Sequence, residues 1–318
     1  MERITFPYRT VTHLPLLHVI GESGAWEKQG LDVEYDRRIS AEAAHDAVAS
    51  GDVDFVGGNH ISTYGRRARG DDWVYLGQTA NRVPGRTLVV RPDSGINGVA
   101  DLRHKTVAFV GRHPGLNDWL FLKQHGLDVD RDEVALVPQK FGPAVSKANS
   151  MAEAPLWHMV RDKEADAAFV VPPGTVQAEQ AGLKLIDVEP LSMIYYSTIS
   201  TSTRLAERRP EIVERFLKGV MEGIYFFKMQ PERSIEIIRR RYQNEGILDE
   251  GTAALMHRTL AQVLEPKLYP APEAIANVYL EGVRQDKDAA RISPMALWDV
   301  HLIRRIDDSG FVDDLYRK

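Results

Sequence analysis

Arginine and histidine side chains recur in three short segments of the sequence, each placed directly after a predicted strand. A planar guanidinium recognises carboxylate, sulfonate or sulfinate groups, and backbone N–H groups at a helix N-terminus favour the same anions. Glycine in such a segment lets the backbone approach a ligand closely. The candidate binding residues are Arg9, Gly57, Gly58, Asn59 and Arg112. Together they predict a site for a small anion.

Imidazole groups in the same segments add a second kind of chemistry, because histidine can transfer protons near neutral pH. A protein that only binds an anion does not require a proton donor. The candidate proton donors are His60, His113 and His13. The plainer alternative is that each of these histidines hydrogen-bonds its own loop or the ligand.

Two adjacent tyrosines, Tyr195 and Tyr196, lie in a later segment of alternating residues that predicts a strand. Either ring is expected to form an amphipathic wall of the binding site. Three histidines and two phenols could also ligate zinc or iron. However, the sequence has no His-x-His or His-Glu-x-x-His spacing, so we predict no bound metal and no cofactor. A metal-dependent variant that uses these side chains is kept as a third hypothesis.

The overall composition narrows the class of protein. The chain has 318 residues, of which 43% are hydrophobic and 27% are charged, and this is ordinary globular usage. A net charge of -5 provides no general basic field that would attract nucleic acid. The absence of cysteine excludes disulfides, thiolate nucleophiles and cysteine-ligated metals.

The start of the sequence lacks the features of a secretory signal, which are a basic beginning, a long apolar stretch and a small-residue cleavage site. No window of the sequence approaches the roughly 20 apolar residues of a membrane span. We therefore expect a cytoplasmic protein whose partner is a small-molecule anion, with no nucleic-acid partner and no membrane insertion.

The order of the predicted elements indicates an α/β fold. Short β-branched runs alternate with helical patterns, which argues for βαβ units and parallel sheets. Strands are predicted at 4–8, 31–36, 52–56, 73–77, 88–91, 106–110, 134–138, 167–171, 183–188 and 193–201. Helices are predicted near 15–24, 41–49, 60–68, 116–125, 151–163 and 175–181. From Pro210 onward the pattern is helical, with later helices near 231–242, 250–264, 272–284 and 294–306.

Several short sequence motifs occur in the order that one family of binding proteins uses. They are GESGAWEKQGLDV at 21–33, AVASGDVDF at 47–55, RPDSGI at 91–96, ADLRHKTVA at 100–108, ADAAFVVPP at 165–173 and RPEIV at 209–213. The chain resembles the solute-binding-protein-like family for sulfonates, nitrate, taurine and thiamine-pyrimidine precursors. That family has cytoplasmic enzyme relatives, which include an aromatic sulfinate desulfinase and an aromatic-acid decarboxylase.

The resemblance implies a two-lobe, type II periplasmic-binding-like fold, with mixed and mainly parallel sheets and a helical C-terminal region. One lobe would contain residues 1–88 and 193–318, the other would contain residues 89–192, and the ligand would lie in the cleft between them. Such a fold does not by itself distinguish a carrier from a catalyst.

Our leading hypothesis is a cofactor-independent, decarboxylase-like lyase that acts on a small aromatic or heteroaromatic acid. Arginine would bind the carboxylate and histidine would supply a proton. The desulfinase reaction is excluded because the enzyme that the chain resembles depends on a cysteine, which this sequence lacks. The alternative is a solute-binding protein or intracellular ligand sensor without chemistry, and an ABC permease would be a partner only in the transport case.

Overall fold

The computed structural model describes residues 1–9, 11–58, 61–83, 87–109, 116–131, 133–138, 156–242 and 249–317. The strands in these ranges are β1 (Glu2–Thr5), β2 (Leu31–Glu34), β3 (Val56–Gly57), β4 (Val74–Val83), β5 (Thr87–Val90), β6 (Thr106–Phe109), β7 (Ala135–Pro138), β8 (Ala167–Val170), β9 (Lys184–Asp187) and β10 (Leu191–Thr201). The α-helices are α1 (Leu14–Glu22), α2 (Ala25–Lys28), α3 (Ala41–Ser50), α4 (Ser62–Ala68), α5 (Leu116–Gln124), α6 (Trp157–Arg161), α7 (Gly174–Gln180), α8 (Thr203–Arg208), α9 (Pro210–Met229), α10 (Pro231–Tyr242), α11 (Glu250–Val263), α12 (Pro272–Gln285), α13 (His301–Asp308) and α14 (Phe311–Tyr316). No helix in these ranges is both long and apolar enough to cross a bilayer.

The chain divides into two compact units. The first comprises Met1–Arg82, Ser192–Arg241 and Leu260–Lys318, and the second comprises Val83–Leu191 and Tyr242–Thr259. The sequence prediction placed the lobe boundaries at 88 and 193 and assigned everything after residue 193 to the first lobe, whereas Tyr242–Thr259 groups with the second unit. Helical periodicity shows that a helix exists in that region, but it does not show which sheet the helix covers.

The first unit is built from two sheets and the long helix α9. β1 pairs in parallel with β2, and β3, β10 and β4 form a second sheet in that order, with β3 antiparallel to β10. The apolar stripe of α9 is buried. Within it, the ring of Phe216 stacks on the ring of Phe55 at a centroid distance of 4.0 Å. This face of α9 therefore belongs to the hydrophobic core.

The second unit contains a five-stranded sheet in the order β7-β6-β8-β5-β9. β6 runs parallel to β7 and β8, whereas β5 runs antiparallel to β8 and β9. Four of the five strands therefore share one direction. Trp157, Val160 and Ala178 on α6 and α7 pack with Val89 and Ala168 of the sheet. This arrangement confirms the mixed α/β fold that the sequence predicts, and two of the four strand pairings in this sheet are parallel and two are antiparallel.

A reciprocal Thr–Asp pair occurs once in each unit. In the first, the Thr5 amide and hydroxyl donate to Asp54 Oδ2 at 2.8 and 2.9 Å, and the Asp54 amide donates to Thr5 Oγ1 at 2.8 Å. In the second, the Thr106 amide and hydroxyl donate to Asp166 Oδ2 at 2.9 and 2.8 Å, and the Asp166 amide donates to Thr106 Oγ1 at 2.9 Å. Each aspartate comes shortly before a strand, so the pair ties that strand to its neighbour.

The predicted helix at 294–306 begins later than expected. The Tyr75 amide donates to the Leu297 carbonyl oxygen at 2.6 Å, and the Asp299 amide donates to the Tyr75 carbonyl oxygen at 2.8 Å. These bonds form an isolated bridge between Trp298 and Tyr75 of β4, the residues just before it lie in turns, and α13 starts only at His301. Sequence periodicity did not reveal this pairing because it joins residues far apart in the chain.

Candidate functional site

The candidate site begins where the chain leaves β1. Phe6 and Tyr8 continue the strand as buried residues, and the Tyr8 amide donates to the Arg37 carbonyl oxygen at 2.9 Å. This pairing places Arg9 at the end of the strand. Arg9 Nε is buried and has no hydrogen-bond partner among the described residues, which also give its guanidinium no ion pair.

Burial governs the electrostatics of Arg9. It lowers the pKa of the guanidinium to about 10, and Glu42 and Tyr75 oppose that shift only in part. The side chain is still charged at neutral pH. Because a cation withdrawn from water has lost part of its hydration, a nearby anion can replace that stabilisation. Arg9 is therefore equipped to bind an anion.

Gly58 brings two of the predicted residues together. Its amide donates to the Thr198 carbonyl oxygen at 3.0 Å, which anchors the end of β3 to β10. Its φ of +102° lies in a region that L side chains rarely adopt. A Cβ atom at this position would lie 3.4 Å from His13 Cε1 and 3.6 Å from Arg9 Cδ. The backbone of Gly58, the imidazole of His13 and the stem of Arg9 are thus in mutual contact range.

His13 is buried directly before α1, with 4% of its surface exposed. The Tyr196 hydroxyl donates to the His13 carbonyl oxygen at 3.2 Å and accepts from the Leu16 amide at 3.4 Å. Pro15 has no N–H group. The sequence predicts that helix N-termini supply N–H groups to the anion. At the start of α1, however, the Leu16 amide already donates to the Tyr196 hydroxyl.

Gly57 faces a different neighbour. A Cβ atom there would lie 2.5 Å from Ser197 Oγ and 3.5 Å from Phe6 Cζ. Glycine is required at position 57 because β10 and the aromatic core approach closely. The nearby Ser197 hydroxyl is buried and has no hydrogen-bond partner in the part of the chain that the structure describes.

The remaining candidates divide into two sets. Tyr195 is half-buried, and its ring centroid lies 6.3 Å from that of Tyr196. Its carbonyl oxygen accepts from Gln78 Nε2 on β4. The other candidates, which are Asn59, His60, Arg112 and His113, lie outside the described residues. The structure therefore brings Arg9, His13, Gly58 and Tyr196 together, and it leaves those four positions as predictions.

His45 is a buried histidine that the prediction of site residues left out. It is 2% exposed, its Nε2 lies 3.1 Å from Ser62 Oγ, and its ring centroid lies 4.6 Å from that of Trp73. Burial lowers the pKa of His45 to about 4; Arg66 and Arg9 add to the shift, and acidic neighbours oppose it. The sequence offered one signal, since His45 lies within the predicted helix at 41–49.

The described residues contain no group of three or more histidine, aspartate or glutamate side chains that could hold a metal ion. Tyr196, one of the two phenols considered as metal ligands, instead contacts the backbone at the start of α1. What the described arrangement provides is one desolvated guanidinium, one buried imidazole and an open glycine backbone. These groups can bind an anion and place a proton donor beside it.

Known structures show the fold of the chain. The chain aligns with the periplasmic sulfonate-binding protein SsuA from Methylobacillus flagellatus at 14% identity and a TM-score of 0.69, over 98% of this chain and 96% of that one. It aligns with the alkanesulfonate-binding protein SsuA from Xanthomonas axonopodis, bound to MOPS, at 16% identity and a TM-score of 0.63, over 93% and 96%. A mutant of the desulfurization enzyme DSZB, in complex with biphenyl-2-sulfinic acid, aligns at 16% identity and a TM-score of 0.60, over 97% and 99%. The fold is that of the periplasmic binding proteins.

The family follows from the sequence itself. A model of the NMT1/THI5-like family matches residues 13–234, and the chain belongs to this family. A search of curated protein sequences gave no match. The family resemblance and the fold that the sequence motifs imply are therefore confirmed.

Proposed function

We propose that the protein binds a small carboxylate-type anion beside Arg9. The observation that carries this proposal is the charged Arg9 guanidinium, whose Nε is buried without a hydrogen-bond partner among the described residues and whose desolvation Glu42 offsets only in part. Burying a charge costs free energy unless a partner replaces its hydration. A ligand carboxylate would do so through paired N–H···O bonds, while Gly58 leaves room beside the Arg9 stem.

The ligand class that fits best is a small aromatic or heteroaromatic acid. The half-buried ring of Tyr195 offers a flat surface near Tyr196 and His13. Two proteins of the same fold were solved with acids: DSZB with an aromatic sulfinate, which supports this class of ligand, and SsuA with MOPS, a sulfonate without an aromatic ring. Aromatic faces and a planar guanidinium suit such ligands.

We further propose that the protein acts on this acid as a cofactor-independent lyase. In a decarboxylation, the bond between the ring carbon and the carboxylate breaks and CO₂ leaves. The electron pair remains on the ring carbon and takes up a proton. Of the described residues, His13 is the histidine that a Gly58 Cβ would touch together with Arg9, so it is the proposed donor. His60 and His113 remain proposed donors from the sequence.

Solute binding without chemistry is the second candidate function, and the sulfonate-binding SsuA proteins of the same fold favour it. A carrier would use the same contacts to Arg9, and it would have an ABC permease as partner. The two functions differ in one respect, since only the lyase changes its ligand.

The test begins with binding. Sulfate, benzoate, phthalate and benzenesulfonate should be titrated by calorimetry against the wild type, Arg9→Gln and the control Arg3→Gln. Arg3 is an exposed arginine that pairs with Glu34 on the protein surface. We expect Arg9→Gln to weaken the best anion at least about tenfold, and the control to bind within about twofold of the wild type. Equal binding by all three proteins would refute the anion site.

Turnover then separates the two functions. Each acid that binds is incubated with the protein without metal or cofactor, and loss of CO₂ is followed by mass spectrometry. For a lyase, His13→Gln should retain affinity within about tenfold and lose roughly a hundredfold or more in rate. Recovery of every bound acid unchanged would favour the carrier. Turnover that needs added iron or zinc would favour the metal-dependent variant.

A further inference from the structure

The strand β10 departs from regular geometry at Tyr196. This residue has a φ of +66°, which is uncommon for a residue other than glycine. Side chains of β4 bond to the backbone on both sides of it. Gln78 Nε2 donates to the Tyr195 carbonyl oxygen, while Thr79 Oγ1 accepts from the Ser197 amide at 3.0 Å and donates to the Ser197 carbonyl oxygen at 2.8 Å. Two side chains of β4 therefore hold this conformation in place.

The unusual conformation directs the Tyr196 ring toward the start of α1. Its hydroxyl donates to the His13 carbonyl oxygen at 3.2 Å and accepts from the Leu16 amide at 3.4 Å, and its ring lies 5.3 Å from the His13 imidazole. The phenol thus contacts both the backbone and the side chain of the turn that carries His13. These hydrogen bonds join residues that are 180 and 183 positions apart in the chain.

The same short piece of β10 also holds the other side of the site. Two residues after Tyr196, the Thr198 carbonyl oxygen accepts from the Gly58 amide at 3.0 Å. The Thr198 hydroxyl donates to Gln78 Oε1 at 2.6 Å, so this residue is tied to β4 as well. Gly58 and the turn that carries His13 are therefore attached to one segment of one strand.

From these contacts we infer that Tyr196 is a positioning residue of the anion site, in which its hydroxyl fixes the His13 imidazole relative to Gly58 and Arg9. The inference rests on the proposed function, because it assigns a task to Tyr196 within that same site. It differs from the earlier expectation that the ring forms a wall against the ligand. The Tyr196 hydroxyl acts on the protein backbone, and His13 is the group that meets the anion.

The test compares two variants, each of which lacks one tyrosine hydroxyl that donates to a backbone carbonyl oxygen. Tyr196→Phe removes the hydroxyl that contacts the turn before α1. Tyr279→Phe is the matched control, since the Tyr279 hydroxyl donates to the Ile292 carbonyl oxygen at 2.9 Å elsewhere in the first unit. Both variants are made in the full chain with ¹⁵N-labelled histidine. The His13 signal is assigned by its loss in His13→Gln.

The first measurement uses the protein without any anion, so it does not depend on the proposed function. Tyr196→Phe should shift the His13 ring resonances and change the pH at which they titrate, and Tyr279→Phe should leave both unchanged. Unchanged His13 signals in a folded Tyr196→Phe variant would overturn the inference. If that variant fails to fold, Tyr196→Asn is used in its place, because asparagine tolerates a positive φ.

The second measurement adds sodium benzoate and sodium sulfate in turn. We expect Tyr196→Phe to weaken the anion that binds the wild type better by about threefold to tenfold, as loss of one hydrogen bond does. Arg9→Gln is measured in parallel. A shifted His13 signal with normal binding by Arg9→Gln would refute the anion site while leaving the positioning contact intact. Normal anion binding by Tyr196→Phe, with binding lost in Arg9→Gln, would refute the positioning role alone.

Discussion

Gly58 lies so close to Arg9 that a Cβ atom would stand 3.6 Å from the arginine Cδ. The same atom would stand 3.4 Å from His13 Cε1. Both distances are ordinary van der Waals contacts, so a side chain here would fill the space beside Arg9 and His13, and its strain would come from the φ of +102°. The absence of a side chain at position 58 is therefore part of the geometry of the site.

Gly58→Ala should weaken anion binding and also lower the free energy of unfolding by about 1 to 3 kcal/mol. The control is Gly70→Ala, which has a nearly equal φ of +104° and no described atom within 4 Å of the point where a Cβ atom would lie. The control should show a similar loss of stability and normal affinity for benzoate and sulfate. Calorimetric titration checks the affinity and urea unfolding checks the stability. Equal affinity in both variants would mean that Gly58 is needed only for its backbone.

Acid should destabilise the protein through two buried histidines. Burial lowers the pKa of His45 and of His18 to about 4 in the folded state, against an ordinary value of 6.5. As the pH falls below 6.5, the unfolded chain takes up protons first, so the free energy of unfolding declines between pH 6.5 and 4. Each histidine accounts for up to about 3 kcal/mol of this loss.

His45→Gln should reduce that decline, because glutamine does not titrate. His301→Gln is the control, since His301 is exposed on the surface. Urea unfolding at half-unit steps from pH 7.5 to 4 gives the slope of the free energy of unfolding against pH for the wild type and for each variant. A slope for His45→Gln that equals the wild-type slope would show that His45 contributes nothing to the acid response.

Loss of the Asp54 carboxylate should destabilise the first unit. Asp54→Ala leaves the Thr5 amide and hydroxyl without their acceptor, and an unsatisfied, partly buried donor costs about 1 to 3 kcal/mol. Asp52→Ala is the control, because the exposed Asp52 carboxylate accepts only from the nearby Ser50 hydroxyl among the described bonds. It should change stability by less than about 0.5 kcal/mol. Equal unfolding midpoints in urea would contradict the assigned contribution of the Thr–Asp pair.

The stacked pair of Phe216 and Phe55 predicts a large cost for truncation. Phe216 is fully buried, so Phe216→Ala should lower the free energy of unfolding by about 3 to 5 kcal/mol through lost burial and a residual cavity. Phe226 on the same helix is half-buried, and the centroid of its ring lies 4.9 Å from Arg233 Cζ. Phe226→Ala should cost about 1 kcal/mol. A reversed order in urea unfolding would show that α9 packs through its other face.

The sequence was sufficient to predict the elements and the family because both depend on local patterns. β-branched runs mark β5, β6 and β8 within a residue or so of their observed ends, and the order of short motifs indicates the fold that the family model and the solved structures confirm. β3 is shorter than predicted, since only Val56–Gly57 pairs with β10. Its bounds depend on the partner strand, which lies far along the chain.

The site was less accessible to sequence reasoning. Strand ends with arginine, glycine and histidine led to the expectation that Arg9, His13 and Gly58 belong to one site, and a Cβ atom at Gly58 would lie near both other side chains. The positive φ of Tyr196 could not be predicted, because no glycine or asparagine marks that position and the bonds that hold it come from Gln78 and Thr79 on another strand. Likewise, the pattern of α3 placed His45 on a helix without showing that Ser62 and Trp73 would enclose it.

The Thr–Asp pair gives a criterion for aligning distant relatives. Its members are 49 residues apart in the first unit and 60 residues apart in the second, yet each pair makes the same three hydrogen bonds. In a homologue that is too divergent for residue-by-residue alignment, a threonine at one strand and an aspartate just before the adjoining strand define corresponding positions. Within this chain, the same pattern of bonds gives one corresponding pair of positions in each unit, a correspondence that the different spacings of the two pairs do not reveal.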